Sequence, residues 1–476
     1  MRLRQIEDVL WEIDPSEREG MRVPARLYAD AAMVDAIRED GSLEQLANVA
    51  TLPGIVGFAL AMPDIHQGYG FPVGAVAATG LSDGVVSPGG VGYDINCGVR
   101  LLAMDLDATE LAPARGRLMD QLARDVPSGA GRGGRLSLTD GQLHAVLAEG
   151  SAAVVRGLGL GTEDDLQHTE SGGRLPGADP AEVSARAIER GRDQLGTIGS
   201  GNHFVELQRV ERVLDAQAAG AYGLREGQVT VLIHTGSRGL GHQVCTDYVR
   251  LMEPRLAGWG IRLPDRQLAC APCSSPEGRA YLAAMACAAN FAWANRQVIA
   301  ARVRGAVRVV LGGARADAVR QVYDVAHNVA KLEEWAGLTL CVHRKGATRA
   351  FGPAHADALP AGHAGVGQPV LIPGSMGTAS WVLAGQDGSD ERSFGSACHG
   401  AGRRMSRTRA RGQVTGADLR RQLESQGVAV RAASDRGLAE EAPLAYKDVD
   451  GVVAVVERAG IARRVARLVP IGVVKG

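Results

Sequence analysis

A chain of 476 residues with 45% apolar and 22% charged side chains can bury one large core, and it has no apolar run long enough for a membrane span. Its net charge of −1 excludes a bulk polycation, so any nucleic-acid partner must be held by a local basic surface, with base stacking minor at 4% aromatic content. Seven cysteines exclude a disulfide scaffold, and MRLRQIEDVLWEID carries no secretory pattern, so a reducing, cytoplasmic setting is expected.

In chain order, residues 20–107 read as strands and glycine turns. Residues 108–198 read as mostly helical, broken by PSGAGRGGR (127–135) and by the polar loop HTESGGRLPGADP (168–180). GSGNHFVEL (199–207) is a glycine turn running into a strand. VTVLIHTGSRGLGH (229–242) is an apolar strand ending at His234, then a Gly/Ser loop. Residues 277–302 and 317–336 are Ala-rich and predicted helical, and strands with glycine loops return after residue 338. The fold class expected is α+β: residues 1–476 as a single mixed-sheet catalytic body, with helical insertions, the main one at about 108–198.

VSPGGVGYDINCGVRLLAMDLD (86–107) places Asp94 and Cys97 three residues apart in a glycine-rich turn. A carboxylate beside a thiolate suits a shared cation; a turn-capping Asp next to a buried Cys is as common a reading of the pair alone. His203, His234 at a strand end and His327 on an expected amphipathic helix add three nitrogen donors. Together these N, S and O ligands suffice for one metal, or for two if the thiolate bridges. Softness nominates zinc without excluding Mn, Fe or Co. Cys270 and Cys273 in CAPC have no second pair at zinc-ribbon spacing and read as structural.

IPGSMGTASWVL (372–383) mixes Gly with Ser375, Thr378 and Ser380, the composition of a phosphate- or sugar-binding loop, though it is not a Walker A motif. In SACHGAGRRMSRTRAR, His399 precedes a Gly-Ala-Gly turn and five arginines within nine positions. A neutral imidazole there is a competent nucleophile toward phosphorus, and the arginines would neutralise phosphate. The plain alternative is a solvated basic helix. HRKGATRAF (343–351) and Arg238 extend the theme toward a phosphate-lined channel. Of 52 basic residues only Lys331, Lys345, Lys447 and Lys475 are lysines. Arg-rich composition explains the bias, and each surviving Lys marks a place where a compact ammonium is wanted.

GVGYDINCGVR, QLGTIGSGNHFVE, IHTGSRGLGH, DVAHNVAKLE, HRKGATRAF, PGSMGTASW, CHGAGR and PIGVVKG resemble, in order, the motifs of the RtcB RNA-splicing ligases, from about residue 50 to the end. The resemblance implies a GTP-dependent 3′-phosphate/5′-hydroxyl RNA ligase. It would join 3′-phosphate or 2′,3′-cyclic phosphate ends to 5′-hydroxyl ends, in tRNA splicing or RNA repair, through a GMP–histidine intermediate on His399. It implies two Mn²⁺ on Asp94, Cys97, His203, His234 and His327, with Cys97 bridging, and so favours Mn where softness suggested zinc. It puts Asn202, Glu206, Pro373, Ser375, Ser380, Ala401, Tyr446 and Lys475 at positions similar to those that contact the guanosine nucleotide, and an archease-type activator among the partners. Asp64 and His66 in MPDIHQGYG also look like a family motif, without an assigned role. Two other readings compete. A dinuclear-metal phosphoesterase would need the metal set but not His399, the PGSMGTAS loop or Lys475. A non-catalytic RNA-binding protein would leave the metal set unexplained.

Overall fold

The computed structural model describes residues 1–129, 131 and 133–476. Its strands divide mainly between two large sheets, so the α+β expectation holds, with two principal sheets rather than one. The first runs in the order Arg4–Glu7, Leu10–Ile13, Ala25–Tyr28, Ile55–His66, Val73–Gly80, Leu338–Lys345, Asn328–Trp335. The second runs Arg320–Ala326, Gly98–Asp107, Gln228–Thr235, Phe204–Val213, Ala462–Lys475, Ser380–Gly385, Pro369–Ile372, and Ala429–Ala432 pairs parallel to the long terminal strand. Both faces of the central strands are buried, which is why they read as near-continuous apolar runs rather than as alternation.

Register decides where the chemistry gathers. Gly98 faces both Thr235 and Ala326, Phe204 faces both His234 and Lys475, and Ser380 and Ile372 end the neighbouring pair. One end of the second sheet therefore collects the residues that flank seven different strand termini.

Helices fill residues 108–198 as expected: Ala108–Leu111, Arg115–Asp125, Asp140–Glu149, Glu163–Gln167 and Ala185–Gly191. Of the predicted break at 127–135, residues 130 and 132 lie outside the described residues. The Ala-rich helix is longer than its sequence signal, Pro276–Leu311, and starts where Ser275 accepts the Gly278 N–H at 3.0 Å. Its alanines let it approach the helices Arg115–Asp125 and Arg238–Met252 and the strand Gln228–Thr235 closely.

Several expectations are corrected. Helices Ala31–Arg38 and Ser42–Val49 interrupt the expected strands of 20–107, and Gly416–Ser425 and Val449–Arg458 interrupt those after residue 338. Residues 317–336 are not helical: they form the strands Arg320–Ala326 and Asn328–Trp335, one in each large sheet. Val322, Val325 and Val329 suit strands, and burial on both faces imitates helical spacing. The expected Gly/Ser loop after His234 is brief, because a helix begins at Arg238 and runs to Met252. Gly241 permits that first turn, since a Cβ there would overlap the Ser237 side chain.

Candidate functional site

His327 is the single residue between the two strands that change sheet, and its backbone N–H donates to the Cys97 carbonyl at 2.6 Å. Asp94 and Cys97 occupy the turn that opens strand Gly98–Asp107. The turn is fixed by the bond from Cys97 N–H to the Asp94 carbonyl at 2.9 Å and by Asn96 in the left-handed region at φ 50°. His203 immediately precedes strand Phe204–Val213, and His234 lies at the end of strand Gln228–Thr235. The expected five donors thus converge from four chain segments, with His327 at a strand junction and not on a helix.

The distances are those of a ligand set. Cys97 Sγ lies 3.5 Å from His203 Nε2 and 3.3 Å from His234 Nε2, and His203 Nε2 lies 2.9 Å from Asp94 Oδ2. Rings of His203 and His234 are 5.6 Å apart, and those of His234 and His327 are 5.7 Å apart. His203 donates from Nδ1 to the Ile198 carbonyl at 3.1 Å, which leaves the Nε2 lone pair facing Asp94 and Cys97. Both ring nitrogens of His327, and Nδ1 of His234, have no hydrogen-bond partner although the residues are buried; the Leu371 carbonyl lies near His327 outside bonding geometry. Burial holds His234 and His327 well below the ordinary imidazole range, so both are neutral, the form that ligates. Burial, with Asp94 beside it, pushes the Cys97 thiol well up. Burial also opposes ionisation of Asp94, yet His203 and Arg238 keep its carboxyl below the usual value. An unpaired neutral imidazole and a thiol whose ionisation needs a counter-charge both fit a cation in this place.

His399 follows strand Ser396–Cys398 and continues the row of rings, 5.4 Å from His327 and 6.4 Å from His66. Its Nδ1 donates to Asp64 Oδ2 at 2.5 Å, and its backbone N–H donates to the same oxygen at 3.1 Å. Asp64 is fully buried. The imidazole is therefore held in the tautomer whose Nε2 is an open lone pair. Gly346, at φ 62°, makes room for it: a Cβ there would stand 3.0 Å from His399 Cε1. Lys447 donates to the Pro63 carbonyl at 3.1 Å and to that of Ile65, bracing Asp64 from both sides. The sequence placed Asp64 in a motif without a role; the fold supplies the role.

Asp94, Cys97, His234, His327, His66 and His399 line a cavity of about 360 Å³ that also takes in Asn202, Pro373, Ser375, Ala401, Tyr446 and Lys475, while His203 faces the neighbouring groove. Glu206 and Ser380 are buried and joined through Gln208, whose amide donates to Glu206 Oε1 at 2.7 Å and Ser380 Oγ at 2.9 Å. Glu206 Oε2 has no partner, and burial pushes its carboxyl up to about 8 against the pull of Gln208 and Lys475. Lys475 donates to the carbonyls of Gly201 and His203, the latter at 2.9 Å. Arg403 and Arg407 both pair with Glu441, at 2.8 and 2.7 Å, and Tyr446 donates to that same carboxylate. Glu441 carries no sequence signal and was missed. It tempers the basic run, which forms only the short helix Arg407–Arg411.

A second, open groove of about 990 Å³ shares Tyr93, Asp94, Asn202 and Arg407 with this cavity and adds Arg190, Arg238 and Arg436. Arg238 thus faces the site as expected. The HRKGATR segment does not form a phosphate channel: Arg344 is locked on Glu333 at 2.7 and 2.9 Å, and Arg349 on Gln368 at 2.9 Å, both buried. Buried guanidiniums need internal partners, and once they have them they cannot serve a ligand. Lys345 alone of that run reaches the cavity, where it donates to the Phe71 carbonyl at 2.9 Å. Cys270 and Cys273 are buried free thiols, in keeping with a structural reading.

Comparison with known proteins gives a consistent result. The family described as tRNA-splicing ligase RtcB matches residues 45–476. A tRNA-splicing ligase RtcB of Thermococcus kodakarensis is 54% identical over 479 residues, covering 100% of this chain and 99% of that protein. That of Archaeoglobus fulgidus is 52% identical over 479 residues at the same coverage. An RNA-splicing ligase RtcB of Mycobacterium bovis is 54% identical over 439 residues, 91% of this chain and 100% of that protein.

Proposed function

This chain belongs to the RtcB family of tRNA-splicing ligases, and on that premise we propose that it seals RNA 3′-phosphate or 2′,3′-cyclic phosphate ends to 5′-hydroxyl ends through a GMP–histidine intermediate on His399. The observation that carries the reading is His399 paired with buried Asp64 in the cavity that Asp94, Cys97, His234 and His327 line, with His203 2.9 Å from Asp94 at its edge. Neither half explains itself alone. A metal phosphoesterase has no use for an oriented imidazole nucleophile, and a nucleotide-binding loop has no use for the thiol–imidazole cluster.

The chemistry follows from the orientation of His399. Asp64 holds the Nδ1 proton, so Nε2 attacks the α-phosphorus of GTP; the P–N bond forms, the bond to the bridging oxygen breaks, and pyrophosphate leaves with the electron pair. An oxygen of the RNA 3′-phosphate then attacks that phosphorus, and the P–N pair returns to His399. The RNA 5′-hydroxyl attacks the activated 3′-phosphate, loses its proton to solvent and expels GMP. A cyclic phosphate end is first opened by water. Asp94, Cys97, His203, His234 and His327 would hold Mn²⁺; bound cations would offset phosphate charge and ease ionisation of the attacking hydroxyl. The groove with Arg190, Arg238 and Arg436 is the proposed seat of the RNA ends.

Glu206 is the proposed reader of guanine, whose N1–H and 2-amino group are both donors that would meet the unpartnered Oε2. At pH 7 the unliganded carboxyl carries a proton, because its value is about 8. Binding GTP is therefore expected to release a proton at pH 7, measured by calorimetry in buffers of different ionisation enthalpy. Glu206→Gln should abolish the release and lower GTP-over-ATP preference about 10- to 100-fold. The sign for stability is the reverse of a paired acid. Glu206 ionises less readily folded than unfolded, so its contribution declines as pH rises from about 4.3 toward about 8. Glu206→Gln should accordingly gain relative stability at alkaline pH.

The function itself is tested with RNA carrying 3′-phosphate and 5′-hydroxyl ends, Mn²⁺ and GTP. A joined strand that requires GTP is expected. Phosphate release without joining, indifferent to GTP, would replace the ligase with the phosphoesterase.

A further inference from the structure

Resting on the reading that these five side chains hold metal, we propose that Arg296 is a positioning residue that sets the spacing of the ligand segments before any cation arrives. Arg296 sits in the middle of helix Pro276–Leu311 and is fully buried. Nη1 donates to the Asn96 carbonyl at 2.9 Å and the Thr235 carbonyl at 2.8 Å. Nη2 donates to Asn96 Oδ1 at 3.0 Å and Asp324 Oδ1 at 2.8 Å, and Nε to Asp324 Oδ2 at 3.0 Å. All five N–H donors of the guanidinium are used.

The partners are what make this more than a core ion pair. Asn96 lies between Asp94 and Cys97, Thr235 follows His234, and Asp324 is three residues before His327. One planar fork therefore ties together three of the four ligand-bearing segments at fixed angles. The fourth is tied by the adjacent residue. Asn295 Oδ1 accepts from Gly196 and Thr197 N–H at 2.6 and 3.1 Å, and its amide donates to the Thr197 carbonyl at 3.0 Å. Thr235 Oγ1 then donates at 2.8 Å to the Ile198 carbonyl, the same oxygen that takes the His203 Nδ1 proton. Both the paired strand and the guanidinium crowd the residue next to the ligand: a Cβ on Gly98 would overlap the Val325 carbonyl oxygen and lie 2.9 Å from the Arg296 guanidinium carbon.

A buried ion pair is a weak source of stability by itself, so retention of a fully satisfied guanidinium here is better explained by the geometry it imposes. Fixing imidazole, thiol and carboxylate donors on separate segments by one rigid group lowers the ordering cost that a cation would otherwise meet. A lysine keeps the charge and loses the fork.

Arg304 supplies the control. It lies on the same helix, forks onto buried Asp165 at 2.6 and 2.7 Å and donates from Nε to the Val319 carbonyl at 3.1 Å, eight residues before His327, but it bonds to no residue within three positions of a donor. Mn²⁺ affinity of the metal-free full chain is measured by the paramagnetic resonance signal of free Mn²⁺, with melting temperature alongside. Arg296→Lys is expected to weaken Mn²⁺ binding about 10- to 100-fold, the range for residues that orient ligands. Arg304→Lys should lower the melting temperature yet bind Mn²⁺ within about threefold of wild type. Should Arg296→Lys fail to fold, Asn96→Gly decides. Glycine suits the left-handed backbone there and deletes only the Asn96 side-chain bonds, so weaker Mn²⁺ binding at unchanged fold is expected. Wild-type affinity in both Arg296→Lys and Asn96→Gly, with binding lost in Cys97→Ser, would overturn the inference and leave Arg296 a core ion pair. Equal, negligible binding in wild type and Cys97→Ser would instead remove the metal site, and this inference with it.

Discussion

His399→Ala is expected to leave no label on the denatured chain after incubation with Mn²⁺ and GTP labelled at the α-phosphate, and to reduce sealing by more than about 10³-fold, the scale of losing a nucleophile. Wild type should carry an acid-labile label. The expectation rests on placement: Asp64 holds the Nδ1 side of His399, while His203 lies on Asp94, His203 and His234 lie on the Cys97 thiol, and His66 is turned onto the Asp64 backbone carbonyl at 2.9 Å. Burial holds His66 near 4, so it is neutral, but no carboxylate fixes its tautomer. Asp64→Asn sharpens the test. The amide can still accept the Nδ1 proton, or it can turn its NH₂ to that nitrogen and move the proton to Nε2. Labelling should slow about 10²- to 10⁴-fold without loss of Mn²⁺ binding, because Asp64 touches His399 and none of the five donors. Normal labelling of His399→Ala would place the adduct elsewhere and remove His399 from the mechanism.

Cys97→Ala is expected to cost both metal and adduct. Cys97 Sγ lies within 3.5 Å of two donor histidines, so its loss opens the centre of the cluster rather than its rim. Mn²⁺ affinity should fall by at least about 10- to 100-fold, and labelling with it. The fold should survive. The thiol is buried and its raised pKa keeps it neutral, so alanine removes no charge and only a small volume. Cys287→Ala, a buried thiol on the long helix away from the donors, is the matched control: some loss of melting temperature, unchanged Mn²⁺ binding. Equal metal content in both variants would refute Cys97 as a metal donor.

The four lysines show how far composition can be read. Each surviving ammonium does take up a partly or fully buried position that a planar guanidinium fits poorly. Lys331 sits on Glu170 and Ser171, while Lys345, Lys447 and Lys475 each collect a pair of backbone carbonyls around the cavity. The arginines show the opposite. In the chain, Arg344, Arg349 and Arg403 to Arg411 look equally available for phosphate. In the fold, Arg344 is spent on Glu333, and Arg403 and Arg407 on Glu441. No local pattern distinguishes a paired from a free guanidinium, because the partner lies tens of residues away.

What the sequence by itself determined is the chemical inventory: the thiol–carboxylate turn, His203 and His234 beside strand ends, the glycine loops, and the family they resemble. Donor chemistry and turn chemistry are local, and local properties survive unfolding. What only the tertiary structure decided is partnership. Asp64 meets His399 across 335 positions, Arg296 reaches Asn96 across 200, and His327 stands at a crossing between two sheets rather than on a helix. Strand register and burial on both faces set those meetings, and neither is a property of any short stretch of chain.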